Sequence, residues 1–172
     1  MIENWKTTTL IPLIITFFFF LDGILSVIFS EQFLEGTKVM TPRLIVLVII
    51  LMSFYIPRSR MLVYSIIFGL IYDSYYVGIL GVYVILFPLI LYLTEKLKKV
   101  LNPNPIVIGM MVIVNLSLIE TYLYLFYQVL GYITINWTTF LADRLGPTLL
   151  LNLVLFIVVF YPLKKMIERI QG

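Results

Sequence analysis

The sequence predicts an all-α, polytopic membrane protein of six transmembrane helices, with both termini in the cytoplasm. Composition is the first reason: 62% of the 172 residues are hydrophobic, 12% are charged, and mean hydropathy is +1.07. Soluble domains run nearer roughly 45–50% apolar and about 25% charged. The second reason is that long apolar runs recur down the whole chain. The third is that the basic residues between those runs alternate in density, as positive-inside sorting requires. Cysteine and histidine are absent, which excludes disulfides, thiolate nucleophiles, imidazole bases and the usual zinc sites. No Walker-type phosphate loop occurs and the polar segments are short, so no soluble catalytic domain, cofactor or nucleic-acid partner is expected.

The chain reads as one integral membrane domain, 1–172. Its first helix spans 7–29, too long for a signal-peptide core and without a small-x-small cleavage site, so it is read as retained. SEQFLEGTKVM then forms a polar loop. Thr41, Pro42 and Arg43 look like a helix start, with Thr41 as cap and Pro42 at the first helical position. The second helix, 42–56, is only about 22 Å long, so either the bilayer thins or Arg43 snorkels.

The run from Met61 to Thr94 holds one charged residue, Asp73. As a single helix it would reach about 51 Å, against a hydrocarbon core of about 30 Å. Within it DSYYVG supplies a break, because Asp and Ser favour caps and turns and Gly78 tolerates a reversal. Two short helices, 61–75 and 79–94, joined by a tight turn are predicted. TEKLKKVLNPNP is the most basic loop, and Asn104 with Pro105 starts a fifth helix, 105–131. A polar loop, GYITINWTTFLADRLG, precedes the sixth, 147–163.

Charge placement tests the count. With the N-terminus inside, the inner segments hold Lys6, Arg58, Arg60, Lys96, Lys98, Lys99, Lys164, Lys165 and Arg169, and the outer ones only Lys38, Arg43 and Arg144. Merging the third and fourth helices would spoil that alternation. Trp5, Trp137, Tyr161, Tyr72, Tyr75 and Tyr76 then fall at the interfaces, where amphipathic rings are at home.

Several residues are candidates for function. Gly69 lies one turn before Asp73, and Gly78 and Gly81 begin the next helix; small residues there suit either a partner helix or internal packing. The same choice leaves Asp73 as a partner contact or a solvated turn residue. Asp22 sits inside the first helix, where an acid is costly and usually paired, and Arg43 or Arg144 is the expected partner. Ser117, Thr121, Tyr124 and Gln128 form one stripe on the fifth helix, with Glu120 on its flank and Asn115 nearby. Thr148 and Asn152 are one turn apart on the sixth. These polar groups fit interhelical hydrogen bonds or a ligand cavity kept open by Glu120. Asp143 is expected to cap the sixth helix, and Arg144 to pair with Asp22 or a lipid phosphate.

FGLIYDSYYVGILGVY, the TPRL start, the EKLKK loop and DRLGPTLLLN together resemble MreD, the rod-shape-determining membrane proteins of bacteria, and most closely the Gram-positive members. The resemblance covers nearly the whole chain. It implies a non-enzymatic protein of the cell-elongation machinery in the bacterial cytoplasmic membrane. The implied partners are MreC, the MreB filament, RodA and the elongation transpeptidase, besides membrane lipids. It also implies a fold similar to the six-helix substrate-binding subunits of energy-coupling vitamin transporters. The positions it marks here are Gly69, Tyr72, Asp73, Gly78, Gly81, Pro42, Arg43, Asp143, Arg144, Pro147 and Asn152, none of them catalytic. A solute-binding transporter subunit is the alternative reading, motivated by the stripe around Glu120.

Overall fold

A short helix with no lipid-facing side lies at the centre of the fold, and the longer helices pack around it. The structure, a computed structural model, describes residues 2–28 and 38–171, with side chains described over 9–28 and 38–169. Most of the loop SEQFLEGTKVM and the side chains of Trp5 and Lys6 lie outside the described residues. The helices are α1 (Ile2–Ile28), α2 (Leu44–Met52), α3 (Arg58–Tyr72), α4 (Val82–Val100), α5 (Pro105–Val129), α6 (Trp137–Phe140) and α7 (Gly146–Gln171). Two π-helical turns, Asp73–Val77 and Leu141–Leu145, complete the helical structure. Among the described residues there is no strand.

Three stretches, Thr9–Ile28, Pro105–Val129 and Trp137–Arg169, are long and apolar enough to cross a membrane. Their outer faces leave Phe17, Val27, Val129, Leu150 and Ile157 more than half exposed. Water would penalise such faces by about 25 cal/mol per Å²; hydrocarbon does not. This is a membrane protein.

The central helix α2 reads LIVLVIILM, and every one of its residues is buried. A helix apolar on all sides belongs inside protein or lipid; this one touches α1, α3, α4, α5 and α7. At nine residues it is about 13 Å long, well short of a span. The expected helix 42–56 is therefore corrected at both ends. Thr41 and Pro42 are outside it, Arg43 takes the N-cap position, and the chain turns from Ser53 onward. Nor does Arg43 snorkel, for it is 5% exposed.

Both ends of α2 are completed by side chains of other helices. The Asp22 carboxylate of α1 accepts from the amides of Leu44 and Ile45, at 2.6 and 3.1 Å. At the other end Lys98 of α4 donates to the Ser53 carbonyl at 2.5 Å. An acid at the positive end and a base at the negative end match the helix dipole. They also satisfy groups that a helix terminus leaves without partners.

The run Met61–Thr94 is a hairpin. After α3 the backbone widens into the π turn, whose last residue is followed by Gly78 at φ 73°, with Gly78 N–H donating to the Asp73 carbonyl at 2.7 Å. Gly81, at φ 109°, precedes α4. Both angles lie where side chains are disfavoured. The two arms lie close at Gly69, where a Cβ would fall 2.6 Å from the Tyr83 carbonyl oxygen.

Two more boundaries differ from expectation. The fourth helix runs on through EKLKK to Val100, placing Lys98 and Lys99 in its last turn. The last helical stretch begins at Trp137, where Asn136 accepts from the Thr139 amide at 2.9 Å, and continues through the π turn to Gln171. LADRLG has the look of a loop because Gly146 and Pro147 resemble a helix start; here they lie within a continuous helix. Proline removes one helical hydrogen bond and crowds the carbonyl four residues before it; that carbonyl, of Asp143, lies in the π turn and accepts from the Val39 amide instead. At α5, Asn104 accepts from the Val107 amide at 2.8 Å ahead of Pro105.

Candidate functional site

Charged and polar residues from five elements meet beside the amino end of α2. Glu120, on α5, is wholly buried. Its Oε1 accepts from Nε and Nη2 of Arg43, at 3.1 and 2.9 Å, and its Oε2 accepts from Nε of Arg144 at 3.1 Å. One carboxylate thus bridges two guanidinium groups. The remaining nitrogen of Arg43, Nη1, donates to the hydroxyls of Tyr72 and Tyr83, at 3.3 and 2.5 Å. Tyr72 comes from α3 and Tyr83 from α4, so Arg43 joins the hairpin to α5.

The backbone leading into α2 is fastened to α7. The Arg43 amide donates to Asn152 Oδ1 at 2.8 Å, and Asn152 Nδ2 donates to the Thr41 carbonyl at 2.8 Å. Thr148, one turn earlier, accepts from the Thr41 amide and donates to the Val39 carbonyl, both at 3.3 Å. This strand-like use of one extended segment explains why Pro42 sits outside the helix: the backbone of Val39, Thr41 and Arg43 has its partners on α7 and on the π turn before it.

Asp73 has a comparable task in the hairpin. It is fully buried. Its carboxylate accepts from the amides of Gly81, Tyr83 and Val84, at 2.9, 2.8 and 3.2 Å. It therefore caps α4 across the turn, supplying acceptors for first-turn N–H groups. A solvated turn residue it is not. Gly69, Tyr72, Asp73 and Gly81 serve this packing, and Gly78 the reversal.

Other expected pairings are corrected. Asp22 forms no ion pair with Arg43 or Arg144; both of its oxygens are on amides of α2, and the arginines go to Glu120. Asp143 does not cap α7, because the helix is continuous there; instead its carbonyl accepts from the Val39 amide at 2.6 Å. Tyr72 is not an interface ring but lies buried among Phe19, Tyr83 and Phe87. The stripe on α5 does not act as one surface. Ser117 bonds its own helix at Ile113, Tyr124 donates to the Ile135 carbonyl, and Gln128 is exposed. Asn115 donates to Thr94 and to the Met111 carbonyl.

Beside the ionic centre is a cavity of about 250 Å³, walled by Asp22, Arg43, Tyr72, Tyr76, Tyr83 and Arg144, with Ser26 and Tyr127 also lining it. Among the described residues no cluster of acids, histidines or cysteines suits a metal ion. Sequence reasoning finds Asp22, Arg43, Glu120, Arg144 and Asn152 as individuals. It misses Tyr83, Tyr127 and the two-ended capping of α2. The signal for the latter is present: a fully apolar stretch too short to span, preceded by an acid and followed by a base on neighbouring helices.

The model of the family described as rod shape-determining protein MreD matches residues 6–170. The chain is 30% identical over 155 residues to the rod shape-determining protein MreD of Bacillus subtilis (strain 168), an alignment covering 90% of each chain. No solved structure matches it. A family match over nearly the full length, with the ionic centre inside the matched residues, places the function in cell shape: the chain belongs to the MreD family of rod shape-determining membrane proteins.

Proposed function

We propose that the protein is a non-enzymatic scaffold of the cell-elongation machinery. In this reading it crosses the bacterial cytoplasmic membrane six times, the second crossing made by residues 39–43 together with the short α2, with both termini inside, and binds MreC. Through MreC it links the MreB cytoskeleton to RodA, the elongation transpeptidase and peptidoglycan synthesis. The observation that carries the proposal is where the buried charges go. Ionisable groups within membrane segments usually mark a functional pathway, yet Asp22, Asp73, Arg43 and Glu120 all have their partners in this chain, on groups that fix one helix against another. That is what a rigid platform needs. The alternation of basic segments, nine positive side chains against three, favours the six-span orientation.

The hairpin is the proposed docking element. Its turn presents Tyr75 and Leu80, which are 69% and 67% exposed. Asp73 and Gly69 lie behind them and hold the turn in shape. Substituting either of those two would unpack the hairpin itself, so docking is better tested at the exposed pair. Tyr75→Lys with Leu80→Lys should lower recovery of MreC in a pull-down from membranes while expression stays normal. Undiminished recovery would remove this surface, and failure of the unaltered protein to retain MreC would remove the scaffold reading.

A solute-binding subunit is the second reading, favoured by the cavity beside Arg43 and Arg144. At about 250 Å³ the cavity falls below the roughly 300–1,000 Å³ usual for small-molecule sites. A vitamin-sized solute is a poor fit.

A further inference from the structure

The cavity beside the ionic centre shares a wall with a second, apolar depression. The latter is a furrow of about 330 Å³ lined by Phe20, Gly23, Ile24, Val27, Ile28, Tyr75 and Tyr76. Gly23 and Tyr76 belong to both. They lie close together: a Cβ on Gly23 would collide with the Tyr76 hydroxyl, which donates to the Phe19 carbonyl at 2.9 Å. The furrow runs along the face of α1 that membrane lipid would contact, since Phe20, Ile24, Val27 and Ile28 are all at least half exposed. A polar chamber and an apolar channel therefore adjoin at one end of the bundle.

Among the described residues, the wall of the chamber carries an excess of positive charge. Arg43 and Arg144 share the single carboxylate of Glu120. Asp22, the other acid on the wall, has both oxygens on amides at the amino end of α2, where a helix carries about half a unit of positive charge. The balance is about half a unit of positive charge. Among the described residues Arg144 bonds only Glu120, through Nε, and its side chain is 26% exposed on the cavity wall. Ser26 is exposed and Tyr127 half-buried beside it. The chamber's volume suits a headgroup better than a larger solute.

We propose that chamber and furrow together hold one anionic phospholipid, its headgroup phosphate accepting hydrogen bonds from Arg144 and its acyl chain lying against Phe20, Ile24 and Val27. Guanidinium binds phosphate with geometric fit and charge, and basic pockets between membrane helices are suited to anionic headgroups. The inference is independent of the scaffold reading, because it needs neither MreC nor a particular orientation of the chain.

Thermal unfolding of the delipidated, full-length protein in detergent micelles tests it, with phosphatidylglycerol, phosphatidylcholine or inorganic phosphate added, and with native mass spectrometry of the lipid adduct. Phosphatidylglycerol should raise the midpoint and form a one-lipid adduct, while phosphatidylcholine and inorganic phosphate at the same concentration do neither. A charge-assisted hydrogen bond is worth about 1.5–3 kcal/mol, so Arg144→Gln should weaken phosphatidylglycerol binding roughly ten- to a hundredfold. Because that substitution also removes a partner of Glu120, Ser26→Glu is the second variant; it sets a negative charge at the exposed mouth and should weaken binding as well. Equal stabilisation by the two lipids, equal stabilisation by inorganic phosphate, or undiminished binding to Ser26→Glu would each overturn the proposal.

Discussion

Arg43 and Glu120 are joined by two hydrogen bonds to one oxygen, Nε and Nη2 of the arginine both reaching Oε1. The arginine side chain is 6% exposed and the glutamate 0%. Neither charge has water to fall back on. Removing one partner of a buried pair typically costs about 3–5 kcal/mol, because the other charge is left unpaired in a low dielectric. Glu120→Ala strands Arg43 and should therefore be among the most destabilising single changes. Arg144→Ala should cost less, since the Arg144 side chain is 26% exposed and Glu120 keeps Arg43. Unfolding by SDS titration in mixed micelles gives the order; Arg144→Ala as damaging as Glu120→Ala would contradict it.

Asp22 is a cap supplied from another helix, and its two oxygens do separate work. Asp22→Ala should lose at least the roughly 0.5–2 kcal/mol of an ordinary N-cap, and the burial of Leu44 and Ile45 pushes the loss upward. Asp22→Asn keeps one acceptor and should fall between the two. Hydrogen exchange at the amides of Leu44 and Ile45 checks this directly. Both amides should exchange faster in the alanine variant and one of them in the asparagine variant.

The hairpin contains two kinds of glycine, and they should fail differently. Gly69→Ala sets a Cβ against the Tyr83 carbonyl at 2.6 Å, with Val84 Cα at 2.8 Å. Backbone cannot move aside without opening α3 from α4, a cost of about 1–3 kcal/mol. At Gly81, φ is 109° and nothing lies within 4 Å of the place a Cβ would take, so Gly81→Ala carries only backbone strain, about 1–3 kcal/mol. The discriminating measurement is a second substitution: trimming Val84→Ala should not restore Gly69→Ala, because backbone atoms form the obstacle.

The proposed orientation is checked by cysteine labelling, since the chain has no cysteine of its own. Tyr75→Cys should react with a membrane-impermeant maleimide in intact cells, and Lys96→Cys only after permeabilisation. The reverse pattern would invert the molecule and move the hairpin turn to the cytoplasm.

How much of this is legible in the sequence depends on the range of each interaction. The break at Asp73 can be read because Asp, Ser and Gly declare a turn locally, and because an unbroken helix would overshoot the membrane. The Asn104–Pro105 start is local in the same way. Asp22, Arg43, Glu120 and Arg144 stand out because charge is scarce in apolar runs, but their pairing differs from expectation. Sequence spacing does not tell which of two acids lies opposite an arginine, and the carboxylate of Asp22 goes to backbone amides instead. The shortness of α2 is hidden because Thr41 and Pro42 have the propensities of a helix start, while their actual hydrogen-bond partners, Thr148 and Asn152, lie more than a hundred residues away. The π turn before Gly146 is likewise invisible, since Gly-Pro signals a boundary unless the surrounding helix overrides it.

The double-mutant cycle between Arg43 and Glu120 tests most directly whether the buried charges are structural ties. Arg43→Met, Glu120→Leu and the pair together would be unfolded by SDS titration under identical conditions. Replacing a whole buried ion pair by apolar side chains is often close to neutral, whereas stranding one partner is costly. The double variant should therefore be more stable than the sum of the single losses allows, by a coupling of about 1–3 kcal/mol. Simple additivity of the two losses would show that Arg43 and Glu120 do not hold the bundle through each other.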